Sequence, residues 1–370
     1  MFKKVEKRRE IMYNNVMKII HCADIHLGSK MDARLSRDKA EERRREIRTT
    51  FLKLIDYAQK ESVKAIILAG DVFDGDRPFK KDKLFFYDAV KNNPDIDFFY
   101  LRGNHDGLEN YTLEADNLKT FGEEWTTYGY EDITISGIEL KAGNCNSLYS
   151  GLSLDKDKIN IVVMHGSQSD ANGIDKINIS RLADKHIDYL ALGHYHTHDG
   201  FHDLRERGKW AYSGCLEGRG FDETGEKGFI LLDVSDGVKA DFVPFASRIV
   251  REFTVDITGE EDFYAAEKKI LDETKTDAKN YVRVYIAGET TVDADDLAKD
   301  AEKELEERYF AASVVNRAKE KADISEVAKE KSLKGEFVRL CLEEEMSEED
   351  REKVLAFGLK ALDGEWREQL

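Results

Sequence analysis

Cysteine and proline are both scarce in this 370-residue sequence, which contains four cysteines and three prolines. The cysteines are far apart and form no Cys-x-x-Cys pair, which argues against a disulfide framework and against a zinc ribbon. We therefore expect reduced and mostly buried thiols at all four positions, namely Cys22, Cys145, Cys215 and Cys341.

Long apolar runs are absent as well. No stretch approaches the roughly 20 apolar residues that a membrane span requires, and the N-terminus lacks the apolar segment of a signal peptide. The sequence therefore predicts a cytoplasmic protein without a membrane partner. Residues 1–16 are expected to form a basic and polar tail, and Met17, immediately before the first apolar run, is an alternative start.

Positive charge is in deficit, and the formal net charge is −18. Strong negative charge disfavours contact with nucleic acid. The acidity is concentrated in the C-terminal third, because residues 251–370 hold 33 acidic and 20 basic residues, a balance of −13 that leaves −5 for residues 1–250. The first two thirds of the chain are therefore close to neutral.

Five short apolar runs are each closed, within about a residue, by a side chain that can bind metal. Their length and their β-branched and aromatic residues predict buried strands. In an open α/β sheet the ends of neighbouring strands line a common crevice, so these side chains are expected to converge. The predicted strands are Lys18–Cys22, Ala65–Ala69, Asp97–Leu101, Ile161–Met164 and Tyr189–Leu192.

The side chains after these strands form a mixed set of oxygen and imidazole ligands. Residues two apart in an extended segment point the same way, so Asp24 with His26, and His194 with His196, are each expected to present a pair. Seven ligands are too many for one tetrahedral ion and suit two octahedral ions that share a bridging carboxylate. The predicted ligands are Asp24, His26, Asp71, Asn104, His165, His194 and His196.

Such a ligand set favours manganese, iron or zinc over magnesium, with manganese as the first choice. Two divalent ions about 3.5–4 Å apart can clamp a phosphoryl group for in-line displacement, so the sequence predicts phosphoester hydrolysis. His105 is adjacent to Asn104 and is expected to point away from the metals, where it could protonate the leaving oxygen, with Asp74 orienting its ring. The alternative is that each motif is a chance turn rich in Asn, Asp and Gly, which five ordered motifs make hard to maintain.

One long helix is predicted in the same region, over about Lys39–Lys60, where apolar residues recur at three- and four-residue steps. Its start carries Arg43, Arg44 and Arg45, which we expect to form a solvated face. A contact with phosphates is the alternative.

The motifs Asp24-x-His26, Gly70-Asp71-x-x-Asp74, Gly103-Asn104-His105-Asp106, His165 and Gly193-His194-x-His196 resemble those of the calcineurin-like metallophosphoesterase superfamily. The resemblance implies an α/β fold, a two-sheet metallophosphoesterase sandwich flanked by helices. It also implies that His105 and Asp74 form a catalytic dyad and that Asp71 bridges two metals. One metal would be held by Asp24, His26, Asp71 and His196, and the other by Asp71, Asn104, His165 and His194.

Within the superfamily, the segments His21–Gly28, Ala69–Asp74 and Tyr189–His196 are similar to those of SbcD-type DNA repair exonucleases, and Tyr212–Gly214 and Glu217–Arg219 to a Gram-positive branch of them. The resemblance implies DNA as substrate and an SbcC-type SMC-like ATPase as partner, and a homodimer is left open. Two alternatives remain, a phosphoesterase for a small phosphodiester or nucleotide, and a scaffold subunit that binds DNA ends. Gly75 and Asp106 argue against a Ser/Thr phosphatase.

The chain after residue 248 is expected to form a smaller C-terminal α/β capping domain and a helical tail. In the tail, apolar residues at helical spacings indicate either packing within the domain or docking to the ATPase, which the resemblance favours. These apolar residues are Phe337, Val338, Leu340, Cys341, Val354, Leu355, Leu359 and Leu362. The predicted division is a tail (1–16), a metallophosphoesterase domain (17–248), a capping domain (249–320) and a helical C-terminal segment (321–370).

Overall fold

The structure is a computed structural model. It describes residues 17–362 apart from 32–33, 76, 108–114, 131, 146, 172, 206, 261 and 322–323, so the predicted N-terminal tail lies outside the described residues. The chain divides into two compact units. The first comprises the described residues up to Arg251 together with Lys279–Tyr281, and the second comprises Glu252–Ala278 and the described residues from Val282. The domain boundaries drawn from the sequence stay predictions.

The first unit is built from strands joined by helices and loops. Its helices are α1 (Arg37–Lys60), α2 (Lys80–Lys91) and α3 (Leu148–Gly151). Its strands are β1 (Lys18–Cys22), β2 (Ala65–Ala69), β3 (Asp97–Leu101), β4 (Leu118–Thr120), β5 (Thr126–Tyr130), β6 (Ile133–Gly137), β7 (Ile159–His165), β8 (Ser167–Gln168), β9 (Lys176–Ile177), β10 (Tyr189–Gly193), β11 (His202–Asp203), β12 (Lys209–Tyr212), β13 (Gly228–Asp233) and β14 (Lys239–Pro244).

Two six-stranded sheets form the first unit's frame, in the orders β14-β13-β1-β2-β3-β4 and β11-β12-β10-β7-β6-β5. Strands β1 to β4 run parallel, as do β6, β7, β10 and β12. The five predicted strands are confirmed, three in the first sheet and two in the second. Each is buried because it lies inside its sheet rather than at an edge, which explains its uninterrupted apolar sequence.

The alternation of side chains along the strands creates the layers. In β1, β2 and β3, one set of residues (Ile19, Ile67 and Phe99) packs with residues of the second sheet, including Ile161 and Ala191. The residues next to them (Ile20, Ile66 and Phe98) point to the opposite face and pack with helices α1 and α2. The predicted two-sheet sandwich flanked by helices is thereby confirmed.

Helix α1 begins two residues earlier than predicted. Ser36 caps it by accepting a hydrogen bond from the backbone N–H of Lys39 at 3.4 Å. The prediction that Arg43 is solvated or contacts phosphates is wrong, since its side chain is fully buried. Its Nη2 donates to Glu217 Oε2 at 3.0 Å and to the carbonyl of Gly218 at 2.7 Å. Arg43 thus anchors the helix to the loop that contains Glu217 and Gly218.

The second unit is a small α/β assembly followed by helices. Its three-stranded sheet, formed by Val250–Asp256, Tyr281–Ala287 and Ala311–Asn316 in that order, packs with the helices Phe263–Glu273 and Ala294–Arg308. Ser332 caps the later helix Leu333–Glu343 by accepting from Gly335 N at 3.1 Å. None of the described helices is long and apolar enough to cross a membrane. The elements are β15 (Val250–Asp256), α4 (Phe263–Glu273), β16 (Tyr281–Ala287), β17 (Glu289–Thr290), α5 (Ala294–Arg308), β18 (Ala311–Asn316), β19 (Lys319–Glu320), α6 (Ile324–Val327), α7 (Leu333–Glu343) and α8 (Glu348–Leu362).

Candidate metal centre

The seven predicted ligands lie on the segments at the C-terminal ends of β1, β2, β3, β7 and β10. The expectation that alternation along extended chain aims the paired ligands is wrong. Asp24, His26 and Asp71 have left-handed backbone conformations, with φ of 51°, 51° and 52°, and His194 has φ of 110°. Such conformations cost about 1–3 kcal/mol each in non-glycine residues and cluster at functional sites. The side chains therefore converge through tight turns after the strands.

Backbone hydrogen bonds across the two central strands hold these turns in place. Asp24 N donates to the carbonyl of Gly70 at 3.0 Å, and His26 N donates to the carbonyl of Asp71 at 3.0 Å. Both oxygens of Asp24 accept from the backbone N–H of His194, at 3.0 and 3.2 Å. The turns after β1, β2 and β10 are thus tied to one another before any ligand is bound.

A first group of atoms that could hold a metal ion is formed by Asp24, His26 and His196. One ligand atom from each lies within 4.8 Å of the others. Nε2 of His26 and Nε2 of His196 are 3.2 Å apart, and Nε2 of His196 is 3.9 Å from Asp24 Oδ1. Asp24 and His26 are buried. Two imidazole nitrogens facing each other beside a buried carboxylate suit a divalent transition ion.

A second group consists of Asp24, Asp71 and His165. His165 Nε2 lies 3.4 Å from Asp71 Oδ2 and 3.0 Å from Asn104 Oδ1. The same Asn104 oxygen lies 3.2 Å from Nδ1 of His194. All seven predicted ligands are therefore brought to one place. Asp24 is the acid common to both groups, and the bridging role given to Asp71 stays a prediction.

Burial and neighbouring charges shift the pKa values of several acids and histidines of the site. Burial raises the pKa of Asp24 to about 6. Burial lowers the pKa of His165, but its hydrogen bond to Asp71 and the nearby Asp24 outweigh this effect and raise it to about 9. Burial also lowers the pKa of His26 to about 4. A proton on His165 thus compensates the buried acids, and a divalent cation would displace it.

Two residues that the sequence reasoning did not place in the site, Glu223 and Arg219, contact the first group. Glu223 Oε1 lies 2.6 Å from His196 Nδ1, and Arg219 Nε lies 3.2 Å from the same oxygen. Burial raises the pKa of Glu223, but His196 and Arg219 outweigh it and lower that pKa to about 2. A ligating histidine commonly donates its second ring N–H to a carboxylate, a backbone carbonyl or water, but the sequence does not distinguish Glu223 from its acidic neighbours Asp222 and Glu226.

The predicted dyad is not paired in the structure. Asp74 Oδ1 lies 3.3 Å from Nδ1 of His26 and 3.2 Å from Nη1 of Arg219, and among the described residues no contact joins Asp74 to His105. The charge of Arg219 and the imidazole of His26 explain this position. His105 is exposed, its backbone N–H donates to Asp71 Oδ1 at 2.8 Å, and its ring lies edge-on to His26 with centroids 5.3 Å apart.

Asp106, next to His105, has a structural position. It is buried and accepts hydrogen bonds from the backbone N–H groups of Phe73 at 2.8 Å, Gly103 at 3.0 Å and Val72 at 3.3 Å. These bonds join the turn after β2 to the turn after β3. Asp106 thereby fixes the spacing between Asp71 and Asn104.

Other histidines and Arg102 lie beside the centre with partners of their own. His21 contacts the Tyr189 hydroxyl at 2.9 Å, and Nδ1 of His198 lies 2.7 Å from the carbonyl of Tyr212. Arg102 donates to both carboxylate oxygens of Glu139, at 2.6 and 2.8 Å. Arg102 is therefore held in a salt bridge with the buried Glu139.

Comparison with known proteins gives a consistent result. The profile of the calcineurin-like phosphoesterase family matches residues 17–217. The DNA double-strand break repair protein Mre11 of Sulfurisphaera tokodaii is 29% identical over 242 residues, which is 60% of this chain and 60% of that protein. This chain therefore spans less than two thirds of that relative's length.

Two solved structures are also similar to the chain. A dimetal phosphatase from Danio rerio is 12% identical with a TM-score of 0.41, and Vps29 complexed with Zn²⁺ from Entamoeba histolytica is 14% identical with a TM-score of 0.32. Each match covers 62% of this chain and 99% of the other. The family profile covers more than half of the chain, including all five strands that precede the converging ligands and all seven ligands themselves, so the protein belongs to the calcineurin-like phosphoesterase family.

Proposed function

We propose that the protein is a two-metal phosphodiesterase that cleaves DNA, as an exonuclease or endonuclease in repair or recombination. The observation that carries the proposal is the convergence of two acid and histidine groups, which share Asp24, at one edge of the sandwich. Carboxylate and imidazole donors in two adjacent groups match the needs of two divalent ions.

In this proposal the seven ligands divide as the family resemblance implies. Asp24, His26, Asp71 and His196 hold one ion, and Asp71, Asn104, His165 and His194 hold the other. Manganese is the first choice, with iron and zinc as alternatives. When bound, such ions supply Lewis-acid chemistry, polarising the phosphate and making an attacking water more acidic.

His105 is proposed as the general acid for the leaving oxygen. It belongs to neither ligand group, is exposed, and is held beside the centre by its backbone hydrogen bond to Asp71. A proton donor must reach the leaving oxygen without being occupied by a metal. Asp74 then acts on His26 rather than on His105, so the family's dyad is not required for this role.

DNA is proposed as the substrate because the chain is similar to the Mre11 protein and because three of its sequence motifs resemble those of SbcD-type exonucleases. An SbcC-type SMC-like ATPase is the corresponding partner. The net charge of −18 favours a second candidate, a small phosphodiester or nucleotide.

Polymer cleavage distinguishes the two candidates. Purified protein is incubated with Mn²⁺ and an end-labelled duplex, and in parallel with a dinucleotide and a cyclic nucleotide. We expect the duplex to be shortened or cut, with the Asp71→Ala variant inactive on it. Hydrolysis of the small substrates alone would contradict DNA as the substrate and support the second candidate.

A further inference from the structure

Two of the candidate metal ligands, His26 and His196, each have a carboxylate beside one ring nitrogen. In each ring this is the nitrogen that faces away from the other histidine. Nδ1 of His196 lies 2.6 Å from Glu223 Oε1, and Nδ1 of His26 lies 3.3 Å from Asp74 Oδ1. The Nε2 atoms of the same two rings are 3.2 Å apart, in the first ligand group. Both imidazoles therefore direct Nε2 at the candidate ion site and Nδ1 at a carboxylate.

One arginine joins the two acids. Arg219 Nη1 lies 3.2 Å from Asp74 Oδ1, and its Nε lies 3.2 Å from Glu223 Oε1. Its backbone N–H also donates to Glu223 Oε2 at 2.6 Å. A guanidinium presents several donors in a rigid plane, so it can hold two carboxylates at a fixed separation in a way that a lysine cannot.

We propose that Arg219 and Glu223 are positioning residues that fix the tautomer and ring orientation of His196 and, through Asp74, of His26. The inference rests on the metal-binding part of the proposed function and does not depend on the substrate. In this arrangement Nδ1–H of His196 donates to Glu223, and Nδ1 of His26 faces the carboxylate of Asp74 at 3.3 Å, which leaves the Nε2 lone pair of each ring directed at the ion. The acid also makes the ring a stronger donor, and removing such a partner costs about 10–100-fold in metal affinity.

The burial of Glu223 supports its proposed role in positioning His196. Glu223 is 7% exposed, and a buried carboxylate is retained only where cations or hydrogen-bond donors compensate it. The donors it has are His196, Arg219 and the thiol of Cys215, whose Sγ is 3.7 Å from Oε2. The strongest partners of Glu223 are thus the candidate metal ligand His196 and Arg219, which also contacts Asp74.

The test measures metal affinity and ring tautomers rather than turnover. Binding of Zn²⁺, a diamagnetic probe, is followed by calorimetry for the wild type, Glu223→Ala, Glu223→Gln and Arg219→Lys. Glu226→Gln, an exposed glutamate three residues away, is the matched control. We expect affinity about 10–100-fold lower in Glu223→Ala, a smaller loss in Glu223→Gln, which retains an acceptor oxygen, and no change in the control.

Ring ¹⁵N NMR of the histidines separates positioning from simple structural support. In the Zn²⁺-bound wild type we expect His26 and His196 as Nδ1–H tautomers, with a displaced Nδ1–H signal for His196 that is lost in Glu223→Ala, and a shifted His26 signal in Arg219→Lys. Unchanged affinity and unchanged His196 signals in folded Glu223→Ala would overturn the inference. Failure of the wild type to bind any ion would instead contradict the proposed function itself.

Discussion

At the residue scale, His105 is set apart from its neighbours because it is exposed while Asp71 and His165 are buried. We predict that His105→Asn leaves metal content near normal and lowers turnover about 100-fold or more, the scale expected for losing a positioned general acid. Metal analysis and steady-state rates on a phosphodiester would measure this. The control is His186→Asn, before the opposite end of β10, where φ of 61° is tolerated by asparagine. Equal rates in the wild type and His105→Asn would remove His105 from the mechanism.

The residues that converge at the candidate centre could be predicted from the sequence, and those that support them could not. Asp24, His165 and His194 each follow an apolar strand, so strand ends reveal them. Glu223 lies on a loop with acidic neighbours, and nothing in its local sequence indicates that it faces His196. Asp74 likewise pairs with Arg219, which is 145 residues away in the chain, so the local sequence does not reveal this contact.

At the scale of elements, the two sheets are in close contact beside the candidate metal centre. Gly193 ends β10 in the second sheet, and a Cβ atom there would clash with the carbonyl oxygen of Ala69 in β2 of the first. We predict that Gly193→Ala destabilises the protein by about 1–3 kcal/mol, as expected for overpacking, and weakens metal binding by displacing His194. Gly129→Ala is the matched control, because that strand glycine has open space at its Cβ position. Thermal unfolding and calorimetry would measure both effects, and equal stability of the two variants would contradict the prediction.

The predicted strands were accurate because each combines an apolar run with a polar end, and burial inside a parallel sheet requires that sequence. The directions in which the ligand side chains point could not be predicted from the sequence in the same way. Left-handed turns at Asp24 and Asp71 follow from hydrogen bonds between neighbouring strands, which a local pattern does not contain. The burial of Arg43 had the same cause, since its partner Glu217 lies 174 residues away.

At the scale of the whole molecule, the C-terminal helices divide their apolar residues between two environments. Val338, Cys341 and Leu355 form a small core among α6, α7 and α8. Leu333 and Leu340 are exposed, with 73% and 57% of their surface accessible. Packing within the segment therefore uses only some of the residues that the sequence singled out, and Leu340 is among those that stay exposed.

We predict that truncation after Lys321 abolishes co-purification with the ATPase and leaves manganese-dependent hydrolysis of a small phosphodiester intact. Lys321 is a suitable end because its backbone N–H completes the pairing of β17 and β19 by donating to Thr290 at 2.7 Å. Leu340→Glu in the full chain should weaken partner binding without removing the small core. A truncated protein that unfolds, or one that binds the ATPase with undiminished affinity, would place these helices in the fold of the second unit instead.

The central claim is that the converging ligands form a metal centre that hydrolyses phosphodiesters, and metal depletion with reconstitution tests it most directly. Wild type, Asp71→Ala and the exposed-loop control Asp236→Ala are treated with EDTA, and hydrolysis of a small phosphodiester is measured before and after addition of Mn²⁺. We predict that EDTA abolishes hydrolysis in the wild type and Asp236→Ala and that Mn²⁺ restores it in both, whereas Asp71→Ala is inactive before EDTA treatment and stays inactive after Mn²⁺ is added. Hydrolysis that persists in EDTA, or full recovery of folded Asp71→Ala, would contradict the account.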